Sequence, residues 1–284
     1  MSLPLIILLL AIFVLLILLY ALMPRTALHQ QCGEFCGLLY AHRGLWSQED
    51  GVPENSMTAF SRAVKAGFAI ELDVQLTKDH KAVIFHDSSL KRMCSTDGKL
   101  RDYTLAQLKS MRLADSNETI PEFAEVLKLV AGQVPLLIEL KSYHTNTDVC
   151  KVVTTLLLDY KGKYCIESFS PFILHWYRKN QPDTVRGQLS CRFGPDEEPP
   201  RPLLFLSEHL MFNWYGRPDF IAYEFHRGSH LFALKFLRKC FGTPAFAWTI
   251  HSENTLKKSR KYFDSVIFDR FIPDCPTQKL TSKE

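Results

Sequence analysis

The chain has 284 residues, a formal net charge of +4 and a hydrophobic content of 46%. This length is enough for one large domain with a substantial core, and an α/β barrel typically needs about 250 residues. The Lys and Arg residues are spread along the chain rather than gathered in one run. The charge therefore does not indicate nucleic acid, and we expect no nucleic-acid partner.

The first element predicted along the chain is a membrane-spanning helix over residues 1–24. Leu3 to Met23 contain no charged residue, and as a helix they would span about 30 Å at roughly 1.5 Å per residue. A cleaved signal peptide is the alternative, but such peptides usually begin with a basic region and have a shorter apolar stretch. Arg25 and then Arg43 follow the span, which favours a single-pass protein with its domain on the cytoplasmic side.

Residues 25–37 are predicted to be a linker that contains the first two of eight cysteines. A domain of this size does not need disulfides for stability, so the cysteines do not indicate an extracellular framework. Cys32 and Cys36 have a C-x3-C spacing, but there is no second such pair and only His29 is nearby. This pattern favours two ordinary thiols over a zinc site.

From residue 38 onward, apolar runs of strand length alternate with amphipathic runs of helix length, as in βα units around a parallel sheet. The strand candidates are 38–41, 68–74, 135–140, 163–169, 184–190, 219–225, 245–250 and 265–269. Eight strands separated by helices fit a (β/α)8 TIM barrel, and no G-x-G-x-x-G motif favours a dinucleotide fold. We therefore predict an α/β class TIM barrel over residues 38–273, followed by a tail over 274–284.

Two helices and one insertion are predicted within the barrel in more detail. Asn55 is the expected N-cap of the first barrel helix, while Pro121 opens and Gly132 ends the second. Between the second strand and Pro121 lies a long segment with its own short strand, "AVIF", and a helix near "TLAQLKSM". Loops of this length inside a compact domain are usually functional, so residues 75–119 are interpreted as a small inserted subdomain.

Acidic side chains are predicted to converge at the carboxyl ends of the strands, where barrel active sites lie. The second strand carries Glu71 and Asp73, whose spacing of two places both on one face. The third strand candidate, 135–140, is followed by "KS", so Glu139 and Lys141 share a face as well. Three convergent carboxylates make a hard-oxygen site for Mg²⁺ or Ca²⁺. A metal-free ion cluster of the carboxylates with Arg43 and Lys141 is the alternative.

Two histidines are candidate acid–base residues near that site. His42 ends the first strand in "AHRG", and His86 follows the short strand of the insertion in "FHD", where alternation would point it away from Asp87. With the cationic Arg43, this set suits hydrolysis of a phosphodiester. A lone histidine at a strand end is more often structural. The remaining histidines are assigned no role: His29, His80, His144, His175, His209, His226, His230 and His251.

The motifs "AHRG", "PENSMTAF", "GFAIELDVQLTKD", "VIFHD" and "LIELKS" occur in an order and spacing that resemble the glycerophosphodiester phosphodiesterase family. The resemblance continues more faintly through "ESFSP", "AWTI" and "SVIFD". It implies a TIM barrel with an insertion after the second strand, a divalent cation and release of glycerol 3-phosphate and an alcohol.

Carried over by position, the resemblance implies that Glu71, Asp73 and Glu139 bind the metal and that His42 and His86 are the acid–base pair. Among substrate-binding candidates, it implies that Arg43 and Lys141 hold the phosphate and that Glu54 lies near the metal or the glycerol hydroxyls. Trp248 is an expected lining residue of the barrel mouth. The end of the last strand departs from the family pattern, because Phe268 and Asp269 stand where a Thr-Asp pair is frequent.

Two other functions remain open at this point. A lysophospholipase D type activity would use the same chemistry on a substrate that keeps one acyl chain, and would need an apolar groove at the barrel mouth. Trp46, Phe193 and Trp214 are the candidates for lining such a groove. A catalytically silent, membrane-tethered binding barrel is the second alternative, although the complete set of histidines and carboxylates argues against it.

Overall fold

The structure, a computed structural model, describes residues 2–25, 29–194 and 201–274. The predicted tail lies outside these residues apart from Asp274. The strands are β1 (Leu39–His42), β2 (Ala69–Leu76), β3 (Ala82–Ile84), β4 (Leu136–Leu140), β5 (Tyr164–Ser168), β6 (Arg186–Ser190), β7 (Phe220–Glu224), β8 (Ala245–Ile250) and β9 (Ser265–Phe268).

The helices precede, separate and follow these strands. They are α1 (Leu3–Leu22), α2 (His29–Cys32), α3 (Met57–Ala66), α4 (Lys91–Cys94), α5 (Leu105–Lys109), α6 (Phe123–Val130), α7 (Asp148–Leu157), α8 (Pro171–Asn180), α9 (Arg201–Glu208), α10 (Asn213–Gly216), α11 (Phe225–Gly228), α12 (Phe232–Phe241) and α13 (Glu253–Ser259). Short 3₁₀ turns cover Gly33–Phe35 and Leu100–Asp102.

Eight parallel strands close into a barrel in the order β1-β2-β4-β5-β6-β7-β8-β9, and β9 pairs with β1 to complete the ring. β3 pairs antiparallel with β2 outside the ring. The predicted TIM barrel is confirmed, and all eight strand candidates correspond to barrel strands. The closed ring leaves no unpaired edge among these eight strands.

Alternation along β2 separates its two faces. Ile70, Leu72 and Val74 point outward and pack in the main hydrophobic cluster with helix residues such as Phe60 and Phe123. Period-two geometry then directs the intervening side chains of β2, including both carboxylates, into the barrel. The position of the acidic pair follows directly from the strand's apolar pattern.

The lower interior of the barrel is filled by aromatic rings and closed by the segment before β1. The ring of Phe246 lies 4.3 Å from that of Phe220 and 5.8 Å from that of Tyr40. Cys32 and Phe35 belong to the same buried cluster, and the Tyr40 hydroxyl donates to the carbonyl oxygen of Phe35 at 3.0 Å. Part of the predicted linker thus forms the floor of the barrel at its amino-terminal end.

The predicted insertion forms a small unit with its own core. Val83, Phe85, Leu90, Leu100 and Leu108 are among the residues buried in a cluster separate from the barrel. The predicted helix near "TLAQLKSM" corresponds to α5, which begins with a capping box between Thr104 and Gln107. The loop that follows β3 lies at the carboxyl end of the barrel, where the Phe85 N–H donates to the Asp73 carbonyl at 3.0 Å.

Three predicted helix boundaries are wrong by one or two residues. Ser56, rather than Asn55, is the N-cap of α3 and accepts from the Ala59 backbone N–H. Asn55 has a left-handed backbone with φ of 56° and uses its side chain elsewhere, as described below. α6 is capped by Glu122 rather than opened by Pro121, and its C-cap is Ala131 rather than Gly132.

α1 confirms the predicted amino-terminal apolar helix. Its 20 residues have a hydropathy of 3.4, and none of them is buried against the rest of the protein. Within the described ranges it is the one helix that meets the length and composition of a membrane span. A signal sequence near the amino terminus can have the same length and composition.

Candidate active site

Strand register brings the predicted carboxylates together at the carboxyl end of the barrel. Asp73 on β2 is paired with Glu139 on β4, and Glu71 is paired with His42 on β1. Glu71, Asp73 and Glu139 are buried, and each offers an oxygen within 4.8 Å of the others. A single ion can therefore contact all three side chains.

Two cationic side chains line this acidic cluster. The Lys141 ammonium lies 2.7 Å from Glu139 Oε1 and 3.0 Å from Asp73 Oδ1, while Arg43 Nε lies 3.5 Å from Asp73 Oδ2. Burial by itself would raise the pKa of Asp73, but Lys141, His86 and Arg43 outweigh it and hold that pKa well below its usual range. The ion pairs expected from the sequence are present, and both cations lie against the acidic cluster.

A fourth buried carboxylate, Glu167 on β5, was not among the predicted site residues. It is paired in register with Glu139 and is only 1% exposed. Burial, together with repulsion from Glu139 and Asp73, raises its pKa well above the usual value, and burial likewise raises the pKa of Glu71 and Glu139. The feature of the sequence that could have identified Glu167 is a carboxylate within an otherwise apolar strand, as for Glu71 and Asp73.

Charge balance favours a cation at this cluster. Four buried carboxylates face two cationic partners, Lys141 and Arg43, and Arg43 is shared with Glu54. Burying ionised carboxylates without enough positive charge beside them costs several kcal/mol per group, because each loses its hydration. The donor set consists of hard oxygen ligands, which Mg²⁺ and Ca²⁺ prefer. The residues present fit a divalent cation.

His42 is oriented by a carboxylate from the last strand of the barrel. Its Nδ1 atom lies 3.0 Å from Asp269 Oδ2, and its Nε2 atom faces the site at 4.0 Å from Glu71 Oε2. Burial lowers the pKa of His42 below its ordinary value of 6.5, although Asp269 opposes this shift. Asp269 also bonds to His251, a histidine for which the sequence predicted no role. The departure from the family pattern is therefore confined to Phe268, and the aspartate of the pair, Asp269, is present and contacts His42.

His86 has a similar carboxylate partner, Asp87. The prediction that strand alternation points these two side chains in opposite directions is wrong. β3 ends at Ile84, so strand alternation no longer applies, and His86 Nδ1 lies 2.7 Å from Asp87 Oδ1. Hydrogen bonds to His86 and Arg92 hold the pKa of Asp87 well below its ordinary range, against the effect of burial. Both histidines therefore bind a carboxylate through Nδ1.

The loop that carries His86 is fixed by Gln75 on β2. The Gln75 side-chain amide donates to the backbone carbonyls of Phe85, His86 and Asp87 at 2.7, 3.1 and 2.9 Å. Gln75 itself is almost completely buried and accepts from the Tyr143 hydroxyl at 3.0 Å. The insertion is thereby held in one position relative to the strand that carries the acidic pair.

Glu54 connects the two halves of the site. It accepts a hydrogen bond from Arg43 Nη1 at 2.8 Å and from Arg92 Nη2 at 2.6 Å, and Arg92 also binds Asp87. The wrongly predicted N-cap, Asn55, donates through Nδ2 to Asp73 Oδ2 at 2.8 Å. The "PEN" motif therefore organises the site, and Arg92 is a further site residue that the sequence analysis missed.

Aromatic side chains meet beside the mouth. Trp248 on β8 packs edge to face against Phe169 at 5.8 Å, and Phe169 lies 6.0 Å from Phe193. Trp214 is not part of this group, because it contacts Tyr20 of α1 at 6.3 Å. Of the predicted groove residues, Phe193 lies with Trp248, whereas the assignment of Trp214 to a groove at the mouth is wrong.

Comparison with known proteins agrees with this geometry. Residues 42–271 match the model of the glycerophosphoryl diester phosphodiesterase family. YhdW of Bacillus subtilis (strain 168) is 29% identical over 230 residues, which cover 78% of this chain and 88% of that protein. A glycerophosphodiester phosphodiesterase of Caldanaerobacter subterraneus subsp. tengcongensis is 32% identical over 163 residues, covering 54% of this chain and 66% of that one.

Among solved structures, an Oleispira antarctica phosphodiesterase in complex with the product sn-glycerol-3-phosphate has a TM-score of 0.66 and 25% identity. The alignment covers 83% of this chain and 94% of that one. The family match spans all the candidate site residues described above, from His42 to Asp269. The chain therefore belongs to the glycerophosphoryl diester phosphodiesterase family.

Proposed function

We propose that this protein hydrolyses glycerophosphodiesters to glycerol 3-phosphate and an alcohol, with His42 and His86 as acid–base residues. The observation that carries the proposal is the placement of two histidines, each bound to a carboxylate through Nδ1, around one cluster of buried carboxylates. A Nδ1 partner fixes the imidazole so that Nε2 is left for proton transfer. The product named for the Oleispira antarctica structure supports glycerol 3-phosphate as the product here.

Glu71, Asp73 and Glu139 are the proposed ligands of a divalent cation, Mg²⁺ or Ca²⁺. The excess of buried carboxylates over cationic partners supports this assignment. When bound, such an ion would draw negative charge from the phosphate oxygens and favour nucleophilic attack on phosphorus. Arg43 and Lys141 would bind the same phosphate as positive charges already held in place by Asp73.

His42 is the proposed general base of the first step. Burial lowers its pKa, so the neutral imidazole predominates at neutral pH and can accept the proton of the glycerol 2-hydroxyl. The hydroxyl oxygen then bonds to phosphorus and the bond to the leaving alcohol breaks. His86 donates its proton to that alcohol. Water opens the resulting cyclic phosphate with the two histidines in exchanged roles, and glycerol 3-phosphate is released.

Trp248 and Glu54 are proposed to position the two ends of the substrate. The partly exposed Trp248 ring and its neighbour Phe169 would contact the leaving alcohol at the mouth. Glu54, held by Arg43 and Arg92, would lie near the metal or the glycerol hydroxyls. A lysophospholipid is the second candidate substrate, because these apolar rings could contact its acyl chain.

α1 is proposed to be a membrane anchor rather than a cleaved signal. The support is that its last turn is hydrogen bonded to the barrel, with Asn213 Nδ2 donating to the Leu22 carbonyl at 3.0 Å. Arg25 directly follows the span, which favours a barrel on the cytoplasmic side. Protease protection in sealed inverted and right-side-out vesicles tests this topology. Digestion of the barrel from the outer face of intact cells would overturn the cytoplasmic placement.

Activity is tested with the purified full-length protein and three substrates, glycerophosphocholine, glycerophosphoethanolamine and lysophosphatidylcholine, with and without a chelator. We expect glycerol 3-phosphate from the first two, and we expect its release to stop with the chelator and to return when Mg²⁺ or Ca²⁺ is added. His42→Ala and His86→Ala should each abolish turnover while metal affinity is retained. His209→Ala, a surface histidine of the described region, is the matched control and should keep full turnover. Lack of turnover of every diester would indicate the silent binding barrel instead.

A further inference from the structure

The carboxyl end of α1 is hydrogen bonded to the barrel at one place, which we call the joint: residues 22–25 contact residues 213–218. Three hydrogen bonds join the end of α1 to the segment before β7: Asn213 Nδ2 to the Leu22 carbonyl (3.0 Å), Arg217 Nη1 to the Met23 carbonyl (2.7 Å) and the Arg25 N–H to the Pro218 carbonyl (2.9 Å). Each bond satisfies a backbone group at or just beyond the carboxyl end of the helix. The helix is therefore docked directly on the barrel before residue 26.

Side chains strengthen this joint and mark the level of a membrane surface. The Tyr20 ring lies 6.3 Å from the Trp214 ring, and the Arg217 guanidinium lies 4.7 Å from the centre of the Tyr20 ring. Arg25 pairs with the buried Asp219 at 3.7 Å. Tyr and Trp at the end of an apolar span, followed by Arg, are typical of the interface between bilayer and water. The joint should lie in this interface.

The joint is at the amino-terminal end of the barrel, opposite the active site. Pro218 and Asp219 directly precede β7, and the segment between α1 and β1 supplies the barrel floor through Cys32 and Phe35. The carboxylates and histidines lie at the carboxyl ends of the strands. The five residues of β7 alone separate the two ends by about 17 Å, at roughly 3.3 Å per residue.

We propose that the catalytic mouth faces away from the bilayer that holds α1, so that the enzyme takes water-soluble glycerophosphodiesters and not lysophospholipids embedded in that bilayer. This inference rests on the proposed function and specifies its substrate class. To reach the mouth from the same bilayer, an acyl chain would have to leave the lipid completely, at a cost that grows with each methylene. A free glycerophosphodiester in water meets no such barrier.

The orientation is tested by fluorescence without any turnover. Two full-length variants each keep one tryptophan, Trp214 in W46F/W176F/W248F and Trp248 in W46F/W176F/W214F, and both are reconstituted in vesicles of brominated phosphatidylcholine. We expect the bromine atoms to quench Trp214 and to leave Trp248 as bright as in unbrominated vesicles. Quenching of Trp248, or no quenching of Trp214, would overturn the proposal.

The substrate class is tested on the unmodified protein, so this test stands even where the tryptophan variants do not fold. The protein is placed in phosphatidylcholine vesicles that contain lysophosphatidylcholine, with glycerophosphocholine in the surrounding water. We expect release of glycerol 3-phosphate from glycerophosphocholine with the same kcat/KM as in detergent, and no release of lysophosphatidic acid from the vesicle lipid. Hydrolysis of lysophosphatidylcholine within the bilayer would overturn the inference. If neither compound is hydrolysed, the proposed function fails, and the quenching result alone decides the orientation.

Discussion

The contact between Asp269 and His42 gives the sharpest prediction about the mechanism. Asp269→Asn keeps the volume of the side chain but removes the charge that faces His42 Nδ1 at 3.0 Å. A hydrogen bond to a charged group contributes about 1.5–3 kcal/mol, which corresponds to a factor of about 10 to 150 in rate. We expect kcat to fall by this factor, because the amide can also donate to Nδ1 and move the imidazole proton onto Nε2.

The same substitution should move the pH profile in a known direction. As the proposed base, His42 can accept a proton only when neutral. Activity should therefore be present above its lowered pKa and be lost as the pH falls through that value, below 6.5. Asp269 raises this pKa, so the variant's acid limb should lie at still lower pH.

Steady-state release of glycerol 3-phosphate from pH 4 to 9, a range that brackets the ordinary histidine pKa of about 6.5, would measure both effects. The matched control is Asp264→Asn at the other end of β9, where the carboxylate binds Arg238 and the Ala245 N–H. It should lower stability and leave kcat unchanged. A folded Asp269→Asn protein with wild-type kcat and an unmoved acid limb would refute the proposed role of Asp269 in orienting His42.

Three further predictions concern the metal, the histidine and the packing of the barrel. Glu71→Gln should weaken binding of Mg²⁺ or Ca²⁺ by about tenfold or more, because it removes the charge of one of the three proposed oxygen ligands. Titration calorimetry measures this affinity, and an unchanged value would remove Glu71 from the proposed ligand set. His42→Gln should abolish turnover across the pH range without changing metal affinity, and residual activity with a normal acid limb would assign the base elsewhere. Gly187→Ala should destabilise the fold by about 1–3 kcal/mol in urea unfolding, since the added Cβ would lie 2.1 Å from a Phe220 ring atom. Gly33→Ala, with no atom within 4 Å of the new Cβ, is its control, and equal stability of the two variants would contradict the packing argument.

Residues within one strand were predictable because their geometry is local. The spacing of Glu71 and Asp73 in an apolar run gave both the strand and the shared face, and the same period placed Glu139 beside Lys141. Alternation failed at His86 and Asp87, because the strand had already ended and a turn brings the two side chains together. Glu167 was missed because nothing near it in the sequence indicates that its neighbours in space are other carboxylates.

The amino-acid sequence by itself determined the alternation of strands and helices, the apolar amino-terminal helix and the identity of the acidic and histidine residues, since each depends on a short-range period or composition. The tertiary structure alone decided which distant groups meet. Asp269 reaches His42 across 227 residues because closure of the barrel places β9 beside β1. The joint between α1 and Asn213 spans 191 residues, and it determines which end of the barrel carries α1. Contacts of this kind depend on ring closure and loop packing, which no local pattern in the chain encodes.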